Sequence, residues 1–417
     1  MQARRSNWIL VIVGVLLASL AASVTMRARA AAAEAFYVSP SGTDSNDGRS
    51  ERSPFQSLEK ARGAMRDSTI KTTYLLGGTY ARGEPFKLYK EDSGTSWLGY
   101  PGQTPVLDGA GTTPIGISIT GDRITVRWIT LQNFVKIGIN VWNASNVLVD
   151  SNTILNTLCT GWSQGSISLS KNIHDVRVTH NLVRGSQYAG IMYVNSHGDT
   201  YARLEVSNNE VLDTCTKVKD CGALYADDED HDGSGLVFRN NVVGNFGDDS
   251  KESKGIYLDA YISNAVVEGN VVYGSGTYGM QVHGGNNDIF RDNIFDISGV
   301  KTLGLYQYHP AGRVPPGGMN GNAFTCNIVY SSKTPPPSLW GVKLGANDNT
   351  PRVEKNLYWG TVRGLPNGGA VVDASPTVGD PHFESPREGK YRMPSGVPTF
   401  CDFHPIDRAQ VGPVANS

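Results

Sequence analysis

Short runs of alternating apolar and polar residues recur along this chain, and each is followed by an Asn with an apolar pair or near-pair. Eight such Asn stand at intervals averaging about 29 residues: Asn152, Asn181, Asn209, Asn241, Asn270, Asn293, Asn327 and Asn356. Their surroundings read SNTIL, HNLVR, NNEVL, NNVVG, GNVVY, DNIFD, CNIVY and KNLYW. Upstream lies a second short element, usually a Gly followed by alternating residues, as at Gly138, Gly190, Gly222, Gly255, Gly279 and Gly341. A repeat of this length signals a stacked solenoid. Short strands rich in Val, Ile and Tyr make it a β solenoid rather than a helical one. Successive coils then lie parallel, about 4.8 Å apart. An Asn at the same corner of every coil can point inward and bond its neighbours above and below, satisfying bend backbone that would otherwise be buried and unpaired. The Gly-to-Asn spacing runs from 14 residues (Gly279 to Asn293) to 19 (Gly222 to Asn241), so loops of unequal length bulge from some coils and wall a groove.

The pattern also predicts how the coil is closed. Ser53 as N-cap and Pro54 at the first helical position open an amphipathic helix reaching about Asp67,. Phe55, Leu58, Ala61 and Met65 share one face, which suits a plug for the first coil. After Trp359 the repeat gives way to a Gly- and Pro-rich stretch, expected to cover the far end. One repeat throughout predicts a single domain over residues 36–412: a cap and first coils at 36–110, repeat coils at 111–360 and a C-terminal cover at 361–412. Residues 413–417 read as a tail.

Residues 1–35 have the form of an export segment. Arg4 and Arg5 precede an apolar run from Trp8 to about Val24, then A-x-A patterns at Ala28–Ala30 and Ala33–Ala35,. A cleaved signal peptide and an uncleaved anchor both fit, and either makes the protein secreted or periplasmic. The 37 basic and 39 acidic residues leave a formal charge of −2 with no basic block, which argues against nucleic acid,. No membrane contact is expected beyond the possible anchor, and a monomer is expected. Five Cys (159, 215, 221, 326 and 401) in an oxidising compartment can pair, and Cys215 with Cys221 could close a short loop,. An odd number leaves at least one thiol free.

YVSPSGTDSNDGRSERSPFQSLEKAR, LLGGTY and EDSGTSWLGYPGQTPVLDGA, with the closing DPHFESPREGKYRMPSG and FHPID, resemble secreted proteins related to pectate lyases. Among these the chain is most similar to β-helix glycoside hydrolases of the fucosidase, xylosidase and lacto-N-biosidase kind. The likeness spans roughly residues 36 to 412 and implies an all-β, right-handed parallel β-helix solenoid with an N-terminal capping helix. It implies much less about chemistry, because this scaffold also carries lyases, epimerases and adhesins.

Alternation from each Gly places Ile256 and Leu258 inside and Tyr257 and Asp259 outside; on the next coil Gln281 and His283 face out. Counted the same way, Tyr306 and Tyr308 take equivalent places one coil further on. With Asp220, Tyr225, Asp227 and Asp228 this predicts a wall of carboxylates and aromatic rings. Such a wall suits a sugar: rings stack on its apolar faces, and two acids share proton transfer and charge stabilisation at the anomeric carbon. Tyr225, Tyr257, His283, Tyr306 and Tyr308 are therefore the substrate-binding candidates. The family resemblance adds that acids in D-x-G-A-[IL]-Y and Y-L-D segments serve the active site. Here DCGALY supplies Asp220 and GIYLDA supplies Asp259, the expected catalytic pair, with Asp227 in reserve. Ala260 stands where the family often has a further acid.

Plainer roles compete. Asp259 reads equally as a turn-capping Asp, Asp220 as an ion-pair partner of Lys219 or Lys254, His283 as a hydrogen-bonded surface His, and the Tyr as ladder aromatics. Asp228, Asp230, Asp232 and Gly233 match the start of a calcium loop, but Arg239 stands at its twelfth position, which excludes an EF-hand and leaves a looser oxygen cage or a solvated loop,. No cofactor is required, and calcium is the one allowed. The leading expectation is a glycoside hydrolase acting on a polysaccharide or oligosaccharide. The alternatives are a lyase or epimerase on uronic acids, with Lys254, His283 or Arg291 as base, and a non-catalytic glycan-binding or structural solenoid.

Overall fold

The computed structural model describes residues 34–416, apart from 160, 162–163, 196–197, 230–233, 308–318, 334–337, 363–370, 387–388, 394–400, 402 and 404–405. The export segment up to residue 33 and the candidate residues Asp230, Asp232 and Tyr308 lie outside the described residues.

Short strands stack into three parallel sheets, of twelve, ten and twelve strands among the described residues. One coil contributes one strand to each sheet, and the in-register pairing holds columns of like residues in line. The interior column of the ten-stranded sheet runs Ile139, Ile167, Ile191, Leu224, Ile256, Met280. All six are fully buried, so one apolar stack about 4.8 Å per step forms the core,.

The expected Asn ladder is present. From Asn181 to Asn356, each ladder Asn accepts at Oδ1 both the backbone N–H and the Nδ2 of the Asn one coil earlier. Each Nδ2 also donates to a main-chain carbonyl of the earlier coil, as Asn241 does to Val206. The residue before every ladder Asn has positive φ: Ser151, His180, Asn208, Asn240, Gly269, Asp292, Cys326 and Lys355. Only one of these is Gly, so seven corners hold an L side chain in the left-handed region at roughly 1–2 kcal/mol each. The ladder's hydrogen bonds offset that cost and fix the corner.

The helix spans Leu58–Arg66, with Ser57 as its N-cap accepting the N–H of Lys60. It starts four residues later than Ser53 and Pro54 predicted. Phe55 bridges Val38 in the first strand, and Asp44 accepts the N–H groups of Gln56 and Ser57, so this segment is held outside the helix. Leu58, Ala61 and Met65 pack on the first coil as expected.

The C-terminal region does more than cover the end. Asp373 accepts from Asn356 and terminates the ladder. The chain then turns back along the outside, laying Tyr391 and Phe403 on an outward apolar row of Val242, Val271, Ile294, Ile328 and Leu357. Arg408 pairs with Glu210, the Gly412 N–H donates to Asn208, the Trp128 indole donates to the Val414 carbonyl, and Asn416 donates to Gly99. The tail is thus docked through Asn416. Disulfides join Cys215 to Cys221, as the spacing allowed, and Cys326 to Cys401; Cys159 is a buried free thiol.

Candidate active site

The outward face of the ten-stranded sheet carries the acids. On the strand Ser253–Asp259, Ile256 and Leu258 enter the core while Tyr257 and Asp259 face away from it, as alternation requires. The strand Cys221–Asp227 sits one rung before, in the register Tyr225↔Tyr257 and Asp227↔Asp259. One rung after, Gln281 pairs with Tyr257 in the same row. These outward residues are not bathed in solvent. The Cys215–Cys221 loop and Tyr188 fold over them, leaving Tyr257 2% and Asp259 9% exposed.

Asp259 is held as a carboxylate. Its Oδ2 accepts from the Tyr225 hydroxyl at 2.6 Å, and its Oδ1 faces His283 Nδ1 at 2.7 Å and the Ala260 N–H at 2.8 Å. Burial works to raise its pKa, but the hydrogen bond and charge of His283, then Tyr225 and the Ala260 N–H, outweigh it and bring it below the ordinary value,.

Asp227, its neighbour one rung back, is in the opposite condition. Its Oδ1 is buried with no hydrogen-bond partner. Burial first, then the charges of Asp259, Glu229, Asp228 and Asp220, push its pKa up to about 8. At neutral pH Asp227 therefore keeps its proton beside an ionised Asp259. A pair of carboxyls driven apart in this way is the electrostatic signature of one acid and one base or nucleophile.

Asp220 joins the cluster from its edge. Its carboxylate pairs with the buried Lys254 ammonium at 2.5 Å, one of the plain roles anticipated for it. The Lys254 ammonium lies 4.1 Å from the Tyr257 ring centroid, the Tyr257 hydroxyl 3.5 Å from His283 Nδ1, and His283 contacts Asp259. Asp220 thus reaches Asp259 only through intermediaries, whereas Asp227 is its direct neighbour. Tyr225 and Tyr257 stack at 4.8 Å and 8°, so they are ladder aromatics as well as site residues.

Tyr306 does not belong to this wall. It pairs with Val282 in the interior column, is fully buried and packs against Trp340 at 5.4 Å. Gly304, two residues before Tyr306 as Gly255 is before Tyr257, itself occupies an inward position opposite Met280, where a Cβ would come within 2.5 Å of the Trp340 ring. The frame is therefore displaced by one residue, and Leu305 and Gln307 are the outward pair. Asp228, the described member of the calcium motif, is buried and accepts from Asn195 Nδ2 at 2.8 Å.

Two residues absent from the sequence-based site list stand in it. Gln281 is 3% exposed with an unpartnered Oε1 next to Tyr257, and its outward alternation was the available signal. Tyr188 meets Tyr225 edge-on at 6.3 Å and donates to the Asp220 carbonyl. It stands at the same offset before its Gly as Asp220 does, a signal visible in the repeat.

A recess of about 520 Å³ lies on a different sheet, lined by Leu148, Asp175, Arg177, Arg203, Glu205 and neighbours. Its Asp175 is ion-paired with Arg203, which lowers its pKa. It holds Asp175 and Glu205 as well, but the Asp227–Asp259 pair lies outside it.

Asp227 has a measurable consequence for stability. Its folded-state pKa is raised, so its contribution is complete below about pH 4, where the unfolded chain is also protonated, and is lost as pH rises through about 8,. The loss is of the order of 5 kcal/mol. Asp227→Asn removes this dependence: denaturant melts between pH 4 and 9 will show a flatter decline than wild type, with the gain growing from about pH 4 and complete above about pH 8,. Asp288, fully buried and also pushed upward by burial, retains part of the slope.

Residues 110–231 match the family model described as the right handed beta helix region, a span that includes Asp220 and Asp227. The protein is a right-handed parallel β-helix. Among solved structures this β-helix is similar to PfbA, a surface adhesin of Streptococcus pneumoniae, at 13% identity over 72% of this chain and 80% of that one, with a TM-score of 0.57. It is also similar to a rhamnogalacturonan lyase at 14% identity, covering 83% and 87% of the two chains with a TM-score of 0.45. A lacto-N-biosidase from Eubacterium ramulus aligns at 14% identity over 82% and 67%, with a TM-score of 0.38. No curated protein matches the chain in sequence. At these identities the likeness concerns the fold.

Proposed function

We propose that this β-helix is a glycoside hydrolase, with Asp227 as the protonated acid and Asp259 as the carboxylate that meets the anomeric carbon. The observation that carries this reading is the adjacency of the two carboxyls on one outward row with their pKa values displaced in opposite directions. Asp227 gives its proton to the glycosidic oxygen as the C–O bond breaks, while an Asp259 oxygen bonds to the anomeric carbon. Water then attacks that carbon, returning a proton to Asp227 and releasing Asp259. Tyr225 and His283 hold Asp259 in place, and the buried, unpartnered Gln281 Oε1 lies in the row beside Tyr257. Asp220, neutralised by Lys254, is a positioning residue in this scheme, so Asp227 takes the role first expected of it.

Neighbouring rungs lie about 4.8 Å apart, which favours the roughly 5 Å carboxyl separation of retaining enzymes over the 6.5–9.5 Å of inverting ones. Two disulfides support export to an oxidising compartment,. The test is incubation of purified protein with a glycan panel, following reducing ends, ultraviolet absorbance of unsaturated uronates, and the anomeric configuration of the first product by NMR. Reducing ends without absorbance and with retained configuration are expected. Absorbance would assign a lyase, and silence in both channels a binding module.

A further inference from the structure

The row that carries the two acids continues toward the N-terminus, and its far end is unlike its middle. In register, Trp142 pairs with Ser170, Ser170 with Val194, Val194 with Asp227, and Asp227 with Asp259. Among the described residues Trp142 is one of the few large apolar side chains left open, at 42% exposure, while Val141 beside it is sunk in the core. The Lys171 ammonium rests 5.3 Å from its ring centroid. At about 4.8 Å per rung, Trp142 lies roughly 14 Å from Asp227 along the solenoid axis. Only Ser170 and Val194 stand between them on the row, so neither a charge nor a large ring interrupts it.

We propose that Trp142 is a distal stacking platform for a neutral polysaccharide lying along the solenoid axis. The inference rests on the hydrolase reading for its polarity, but the platform itself rests on Trp142 and the register. One rung is close to the length of one pyranose unit, so a chain running along the row presents a sugar to Trp142 roughly three units from the bond at Asp227. An open indole offers an apolar face with a polar N–H at its edge, which suits a sugar ring. Neutrality follows from charge. Asp227 is flanked by Asp259, Asp228 and Glu229, which would repel a polyuronate, and the nearby Lys254 is already paired with Asp220,.

The test uses the full chain and Trp142→Ala in affinity gel electrophoresis against soluble xyloglucan, galactomannan, mixed-linkage β-glucan, arabinoxylan and polygalacturonate. At least one neutral polymer will retard the wild type, and Trp142→Ala will weaken that retardation at least tenfold, with Trp142→Phe intermediate. Asp227→Asn will be retarded like the wild type. Where cleavage is measured, the Trp142→Ala loss will fall on KM for polymer. Wild-type retardation unchanged in Trp142→Ala, retardation by polygalacturonate alone, or no retardation by any polymer overturns the proposal. If the wild type is retarded in a Trp142-dependent way but cleaves nothing, the platform stands and the hydrolase reading falls. If it cleaves a neutral glycan and Trp142→Ala binds normally, the reverse holds.

Discussion

Asp227→Asn will lower turnover by roughly a hundred- to ten-thousandfold on natural glycans, the range expected for losing a positioned general acid, and will leave the fold intact. Asn keeps the size of the side chain and exchanges its acidic O–H for an amide that cannot give up a proton, and Oδ1 of Asp227 has no partner to lose,. The defect will shrink on aryl glycosides whose leaving group departs as a stable phenolate, because that departure needs no proton. Asp259→Asn will be inactive on both substrate kinds, since it removes the carboxylate that meets the anomeric carbon. It will also draw the Asp227 pKa downward, because after burial the Asp259 charge is the largest influence raising it. Asp220→Asn will retain measurable turnover. Full activity in Asp227→Asn, or greater loss in Asp220→Asn than in Asp227→Asn, would reject the assignment of the pair. Reducing-end release together with a chromogenic aryl glycoside reads all three variants.

The second large effect is on stability. Asn241→Ala will cost about 4 kcal/mol. The Asn209 N–H and the Val206 carbonyl both lose their ladder partner in a buried site, at roughly 1–3 kcal/mol each, and a small cavity adds to this. Asn241→Leu refills the volume and will be about as damaging, which separates loss of hydrogen bonds from loss of packing. Chemical denaturation checks both variants. A change under about 0.5 kcal/mol in either, the range of ordinary surface substitutions, would mean the ladder is not what holds the corner. Because each coil contacts mainly its neighbours, the lesion will also open coils near Asn241 to protease before the ends of the solenoid.

The fold was legible because its strongest requirement is chemical and periodic. Eight corners, from Asn152 to Asn356, each place a buried Asn after a left-handed residue, and the Asn cannot be replaced without leaving backbone groups unpaired. Helix location was legible but its start was not. Ser53-Pro54 and Ser57-Leu58 offer similar capping chemistry, and the choice is made by a long-range bridge from Phe55 to Val38. The site was half legible. Asp259, Tyr257 and His283 fall where alternation from Gly255 and Gly279 puts them. Gly304 misleads, since it makes room for Trp340, and Gly222 sits one place earlier than Gly255 in its rung, opposite Lys254. That single-residue offset brings Asp227 level with Asp259 and leaves Asp220 at the edge. Side-chain period two turns any one-residue slip into a change of face, so the register had to be seen before the acids could be paired.

The most direct measurement is the ionisation of Asp227 in the intact protein, followed through its carboxyl carbon by NMR with Asp227→Asn for assignment. A midpoint near pH 8 that falls in Asp259→Asn is predicted, with Asp259 already ionised at the acid end of the titration. Two carboxyls ionising together near pH 4, unmoved by each other's substitution, would contradict the account.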